Sequence, residues 1–135
     1  MKAAVFFPGI GYRFERPLLK GAMDLARGNG YSIITVDYGG FSGDAKQNLD
    51  AAVECAVDQT EKILFVGKSI GTAAAAIYSS RHNLFCKKIL LTPIPQTFSV
   101  EIENAITFYG KADPWISLEQ VTEGCKKKFN PAFGL

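Results

Sequence analysis

Val66-Gly67-Lys68-Ser69-Ile70-Gly71-Thr72 decides how the rest of the chain is read. An apolar β-branched run, Lys62 to Val66, ends at the first glycine, and a helical pattern through Ala73-Ala74-Ala75-Ala76-Ile77 to about Arg81 follows the second. G-x-S-x-G at such a strand-to-helix junction has the composition of a nucleophile elbow. Gly67 and Gly71 permit a sharp turn and close approach of neighbouring backbone, so the Ser69 hydroxyl stands above the strand ends. The N–H of Ile70 opens the helix and points the same way, placed to stabilise a developing oxyanion. A plain glycine-rich turn between strand and helix is the alternative.

Outward from this turn the same alternation repeats. Ala3 to Phe7, Ser32 to Asp37, Lys88 to Leu91 and Ala105 to Tyr109 read as further buried strands. A helix opens at Pro17, with Leu18, Ala22, Leu25 and Ala26 as its apolar face and Gly28 and Gly30 as its stop. A second opens at Asp44, with Gln47 at the capping-box position, and the last at Ser117, with Gln120 in the same role. Strands alternating with helices imply a doubly wound α/β sandwich, three layers around a five-stranded parallel sheet. The 135 residues suit a single domain, 1–135, and no repeat or linker divides them.

Composition excludes several classes of function. A net charge of +2, from 15 basic and 13 acidic residues, is too small and dispersed for a nucleic-acid binder. Cys55, Cys86 and Cys125 lack the spacing of a zinc site, and one histidine leaves few ligands for any transition metal. No apolar run approaches the ~20 residues of a membrane helix, and Pro8-Gly9 interrupts the apolar N-terminus, so a cytoplasmic location is expected.

The glycines admit two nucleotide-binding readings, and both fail on spacing. A P-loop needs a glycine where Lys62 stands, inside a strand. A dinucleotide fingerprint starting at Gly9-Ile10-Gly11 needs one where Phe14 stands. The loop Pro8-Gly9-Ile10-Gly11 better suits a second oxyanion donor, from the N–H of Ile10 or Gly11. Asp113, in Tyr109-Gly110-Lys111-Ala112-Asp113-Pro114, follows the fifth strand on the same edge of the sheet, and Ser-then-Asp is the chain order of this triad type. A turn or cap is its simpler use.

Over nearly its whole length the sequence resembles the α/β-hydrolase superfamily, specifically its small, lidless, dienelactone-hydrolase-like bacterial members. Phe7 to Gly11 resembles the oxyanion loop, Gly67 to Gly71 the elbow, and Tyr109 to Pro114 the acid turn. The resemblance implies sheet order 2-1-3-4-5 and hydrolysis of a small ester-like substrate through an acyl-enzyme on Ser69, with Asp113 as acid and no cofactor or metal. It also implies a histidine about 25 residues past the acid, after one more strand. The given sequence continues only 22 residues past Asp113, and that tail has no histidine.

The one histidine, His82, follows the helix that Ser69 opens; at 1.5 Å per residue it stands ~18 Å from the elbow. It suits a helix C-terminus, where the dipole favours it. Lys68 points away from Ser69 in an ordinary elbow, and Cys125 has no base beside it. A hydrolase whose last strand and histidine are missing is expected, with Ala105 to Tyr109 as an exposed edge through which a homodimer forms. The alternatives are a non-catalytic small-molecule-binding relative, a flavodoxin-like nucleotide binder, and an oligomer whose neighbour completes the site.

Overall fold

The structure, a computed structural model, describes residues 2–9, 16–37, 50, 54, 62–84, 86–125 and 131–134. The helix expected from Asp44 falls almost wholly outside them.

The first strand, β1 (Lys2–Phe7), has no solvent exposure from Ala3 through Phe7. That explains its unbroken apolar run, since a central parallel strand is covered on both faces. Helix α1 (Pro17–Gly28) starts with Pro17 in its first turn, where a missing N–H costs nothing. Then come β2 (Tyr31–Thr35), β3 (Lys62–Lys68), α2 (Ile70–Arg81), β4 (Lys87–Leu91), a 3-10 segment Pro95–Ser99, β5 (Ala105–Tyr109), α3 (Leu118–Gly124) and β6 (Ala132–Gly134). All strand pairs are parallel, in the order β2-β1-β3-β4-β5-β6. The five expected strands stand in the expected order. The short link after β4 carries only the 3-10 segment, whose Phe98 packs on Ala76, Leu90 and Ala105.

Two expectations are corrected. The strand Ala105–Tyr109 is not the sheet edge, because β6 pairs with its C-terminal half: Thr107, Phe108 and Tyr109 lie opposite Ala132, Phe133 and Gly134. The Phe108 and Phe133 rings stack at 5.4 Å, and Thr107 N–H donates to Pro131 O at 2.8 Å. Three residues after a proline, the last of them a glycine, carry no strand periodicity; the pairing comes from β5 and the ring stack. The expected apolar face of α1 is also misplaced. Leu19, Met23 and Ala26 enter the core against Ala4 and Phe6, whereas Leu18 is 37% and Leu25 70% exposed.

The two faces of the sheet are unequally covered. On one, α2 packs through Ala75 against Val5, Phe7 and Phe65, and the 3-10 segment and α3 continue the layer over β4 and β5. On the other, α1 is the only helix among the described residues.

Lys88 on β4 is buried, its ammonium donating to Cys86 O at 2.8 Å and Glu103 O at 2.9 Å. Burial lowers its pKa below the usual 10.5, while the Cys86 and Glu103 charges act the other way. A folded-state value below the unfolded one means that the unfolded chain binds more protons in the interval between them, so stability rises with pH there. Urea unfolding from pH 8 upward should therefore show wild type gaining on Lys88→Met as pH approaches 10.5. The alkaline loss from Tyr78, whose pKa is pushed up to about 12 by burial and its bond to Asp50, is common to both proteins and cancels. A pH-independent difference would refute a destabilising buried charge at Lys88.

Candidate active site

The elbow is built by backbone contact. A Cβ on Gly71 would stand 1.9 Å from Phe7 O, and one on Gly67 2.6 Å from Gly71 O. The first turn of α2 therefore lies directly against the exits of β1 and β3, and only glycine fits either position. Between them Ser69 adopts φ 55°, ψ −118°, backbone in which an L-residue is strained. Its N–H donates to Leu91 O at 2.9 Å, which ties the turn to β4.

A chain of hydrogen bonds fixes the turn from below. Ile94 N–H donates to Thr97 Oγ1, and the two hydroxyls of Thr97 and Thr72 meet at 2.7 Å. Thr72 Oγ1 then donates to Ser69 O at 2.6 Å. With that last donation fixed, the Thr97 hydroxyl must donate to Thr72, so each hydroxyl gives one bond and takes one. Thr72 and Thr97 are fully buried. Their pairing across 25 residues could not be read from the sequence.

Asp113 lies in the turn after β5, two strands from Ser69 or about 10 Å along the hydrogen-bonding direction. Its N–H donates to Gly110 O at 3.1 Å, and its Oδ1 accepts from Trp115 N–H at 2.8 Å, so the carboxylate is held before any ligand arrives. Trp115 beside it is 77% exposed. Lys68, the residue before Ser69, feels the Asp113 charge; burial lowers its pKa and Asp113 partly restores it. The structure thus brings Ser69, Lys68 and Asp113 to the C-terminal edge of β3 to β5.

Between the serine and aspartate strands, at the end of β4, Thr92 has φ 50°. Its N–H donates to Phe108 O at 2.7 Å, and its Oγ1 is buried without a hydrogen-bond partner among the described residues. A β-branched residue at positive φ is a second strained point on this edge. Nothing in the sequence announced it.

Ile70 is the first residue of α2, directly after Ser69. Ile10 and Gly11, the candidates for the second oxyanion donor, lie outside the described residues; Pro8, two residues before Ile10, is buried beside Gly71. His82 caps the far end of α2, its Nδ1 3.0 Å from Tyr78 O and its ring stacked on Tyr78 at 3.9 Å. The structure does not bring it to Ser69. Burial raises the Cys125 thiol pKa, against use as a nucleophile. Among the described residues no group of three His, Cys, Asp or Glu side chains could hold a metal ion, and no helix is long and apolar enough to cross a membrane.

A parallel sheet in this order, with a strained serine between two obligatory glycines after the third strand, has the α/β-hydrolase fold. Solved structures agree. A protein from Xanthomonas campestris pv. campestris, classed as a hydrolase of the alpha/beta superfamily, superposes with a TM-score of 0.78 at 14% identity, covering 100% of this chain and 86% of that one. Est1E from Butyrivibrio proteoclasticus, solved with ferulic acid bound, gives 0.76 at 12% identity, over 100% and 79% of the two chains. A YdeN-like hydrolase from Pectobacterium atrosepticum gives 0.71 at 15% identity, over 100% and 77%. No protein-family model matches the sequence, and no curated protein matches it.

Proposed function

We propose that this chain is the nucleophile-bearing core of a serine acyl hydrolase, acting in the cytoplasm on a small ester-like substrate. The observation that carries the reading is the backbone of Ser69, held at φ 55° between glycines that no other residue can replace. In this reading Ser69 Oγ attacks the substrate carbonyl carbon, and the resulting oxyanion is received by the N–H of Ile70 and that of Ile10 or Gly11. Expulsion of the alcohol leaves an acyl-serine, which water then hydrolyses. Asp113, anchored by Trp115 N–H, is the acid that would orient a general base.

No histidine stands at the site among the described residues, because His82, the one histidine of the sequence, caps the opposite end of α2. Loss of the triad base costs on the order of 10⁶ in kcat, and an intact oxyanion hole retains roughly 10³ to 10⁴ over water. The 135-residue chain should accordingly react slowly with a fluorophosphonate at Ser69, and added imidazole should accelerate the labelling. Ser69→Ala should abolish it, and His82→Ala should leave it unchanged. Two results would overturn the proposal: no labelling at Ser69 even with imidazole, or labelling that maps to another residue.

A further inference from the structure

The carbonyl of Ser69 and the N–H of Ile70 belong to one peptide unit. The unit is planar and its oxygen and nitrogen share electrons by resonance, so whatever holds or polarises the oxygen also acts on the N–H. The torsion that sets this plane is Ser69 ψ, at −118°, part of the strained conformation of the turn. Thr72 gives the Ser69 oxygen two donors, its N–H at 2.9 Å and its Oγ1 at 2.6 Å. The first completes a helical turn; the second does not belong to the helix. Behind it the Thr97 hydroxyl donates to Thr72 Oγ1 at 2.7 Å, and Ile94 N–H donates to Thr97 Oγ1 at 3.1 Å. Donation thus runs one way, from Ile94 through two fully buried hydroxyls to the Ser69 oxygen.

We propose that Thr72 and Thr97 are positioning residues for the oxyanion hole: their hydroxyl chain fixes the plane of the Ser69–Ile70 peptide and strengthens the Ile70 N–H as a donor. The catalytic consequence rests on the serine-hydrolase reading, whereas the action on Ile70 does not. In a trans peptide the C=O and N–H point in opposite directions, so anchoring the oxygen on the buried side aims the N–H away from it. Ile70 is the first residue of α2, where an N–H has no acceptor within the helix. Each bond in a chain polarises the next, by about 10–30% in condensed phase. Donation into the Ser69 carbonyl therefore draws electron density from the amide nitrogen and leaves the Ile70 hydrogen more positive.

The amide nitrogen chemical shift of Ile70 in the 135-residue chain tests the proposal without any reaction. Thr72→Val keeps the side-chain shape and loses the hydroxyl, so it should move that resonance upfield. Thr97→Val should move it the same way by less, and it decides the matter if Thr72→Val does not fold. Thr72→Ser, which retains the hydroxyl, should stay near wild type. Saturation kinetics of fluorophosphonate labelling in imidazole read the consequence at Ser69. Losing an oxyanion donor outright costs roughly 10²–10³ in rate, and weakening one should lower the maximal labelling rate about tenfold in Thr72→Val. The half-saturating probe concentration should not change, and Thr72→Ser should restore the rate. An Ile70 resonance indifferent to both valine variants would overturn the proposal, as would a labelling rate that falls as far in Thr72→Ser as in Thr72→Val. An unlabelled wild type would count against the hydrolase reading alone, and the Ile70 resonance would still decide whether the hydroxyl chain acts on that N–H.

Discussion

Gly71→Ala should yield no stably folded protein, with a loss above about 4 kcal/mol, the range reserved for gross steric or core defects. The added methyl would stand 1.9 Å from Phe7 O, 2.6 Å from Phe7 C and 2.8 Å from Pro8 O, against an ordinary contact beyond 3.4 Å. Flexible side chains can yield to such an overlap; these are backbone atoms at the exit of β1. That strand is hydrogen-bonded to β2 on one side and β3 on the other and has no exposed residue from Ala3 to Phe7. Moving it breaks pairing, and moving α2 instead breaks the Ser69 turn. Domains of this size are stable by only about 5–15 kcal/mol, so the loss removes most of the margin. Gly21→Ala is the opposite control. Its methyl meets nothing within 4 Å, and helix propensity should give about 0.5–1 kcal/mol of stabilisation in the same urea titration. If Gly71→Ala unfolds within about 1 kcal/mol of wild type, a value typical of ordinary substitutions, α2 does not seat against β1.

What the sequence revealed of this molecule divides by the range of the interactions. Ser117 and Gln120 announce a helix start because the capping box closes over three residues, and both of its bonds are present, at 3.1 and 2.9 Å. Gly67 and Gly71 announce the elbow for a similar reason: a local pattern at a strand end constrains the backbone whatever packs around it. On α1 the pattern was ambiguous. Leu18, Ala22 and Leu25 make as regular a stripe as Leu19, Met23 and Ala26, and contact with Ala4 and Phe6 selects the second. Strand β6 has no pattern at all and exists through β5. At the site, Ser69 and Asp113 could be named from motifs. The electrostatic link from Lys68 to Asp113 and the hydroxyl chain through Thr97 and Thr72 join residues distant in sequence, so only the assembled sheet shows them.

Ser69→Gly should abolish fluorophosphonate labelling and at the same time make the protein more stable. At φ 55°, ψ −118° a residue with a Cβ carries strain of about 1–3 kcal/mol, which glycine escapes. Glycine returns part of that through the greater freedom of its unfolded chain, about 0.5–1 kcal/mol. The net gain is of order 1 kcal/mol, or roughly 4 °C in Tm for a domain of this length. Ser69→Ala separates the two causes: it also loses the hydroxyl but keeps the Cβ, so it should lose labelling without gaining stability. A destabilised Ser69→Gly would mean that the hydroxyl makes a stabilising bond, and the strain account would fall. Strain is informative here because of where it lies. Four non-glycine residues among those described have positive φ, and two of them, Asn83 and Asn104, are of a type that tolerates it. The other two, Ser69 and Thr92, follow adjacent strands on one edge of the sheet, the edge to which Asp113 is also held. Backbone strain persists where surrounding structure enforces it, and it clusters at functional sites. Thr92 lies outside the G-x-S-x-G pattern, so its strain is a mark of this edge that the motif itself does not supply.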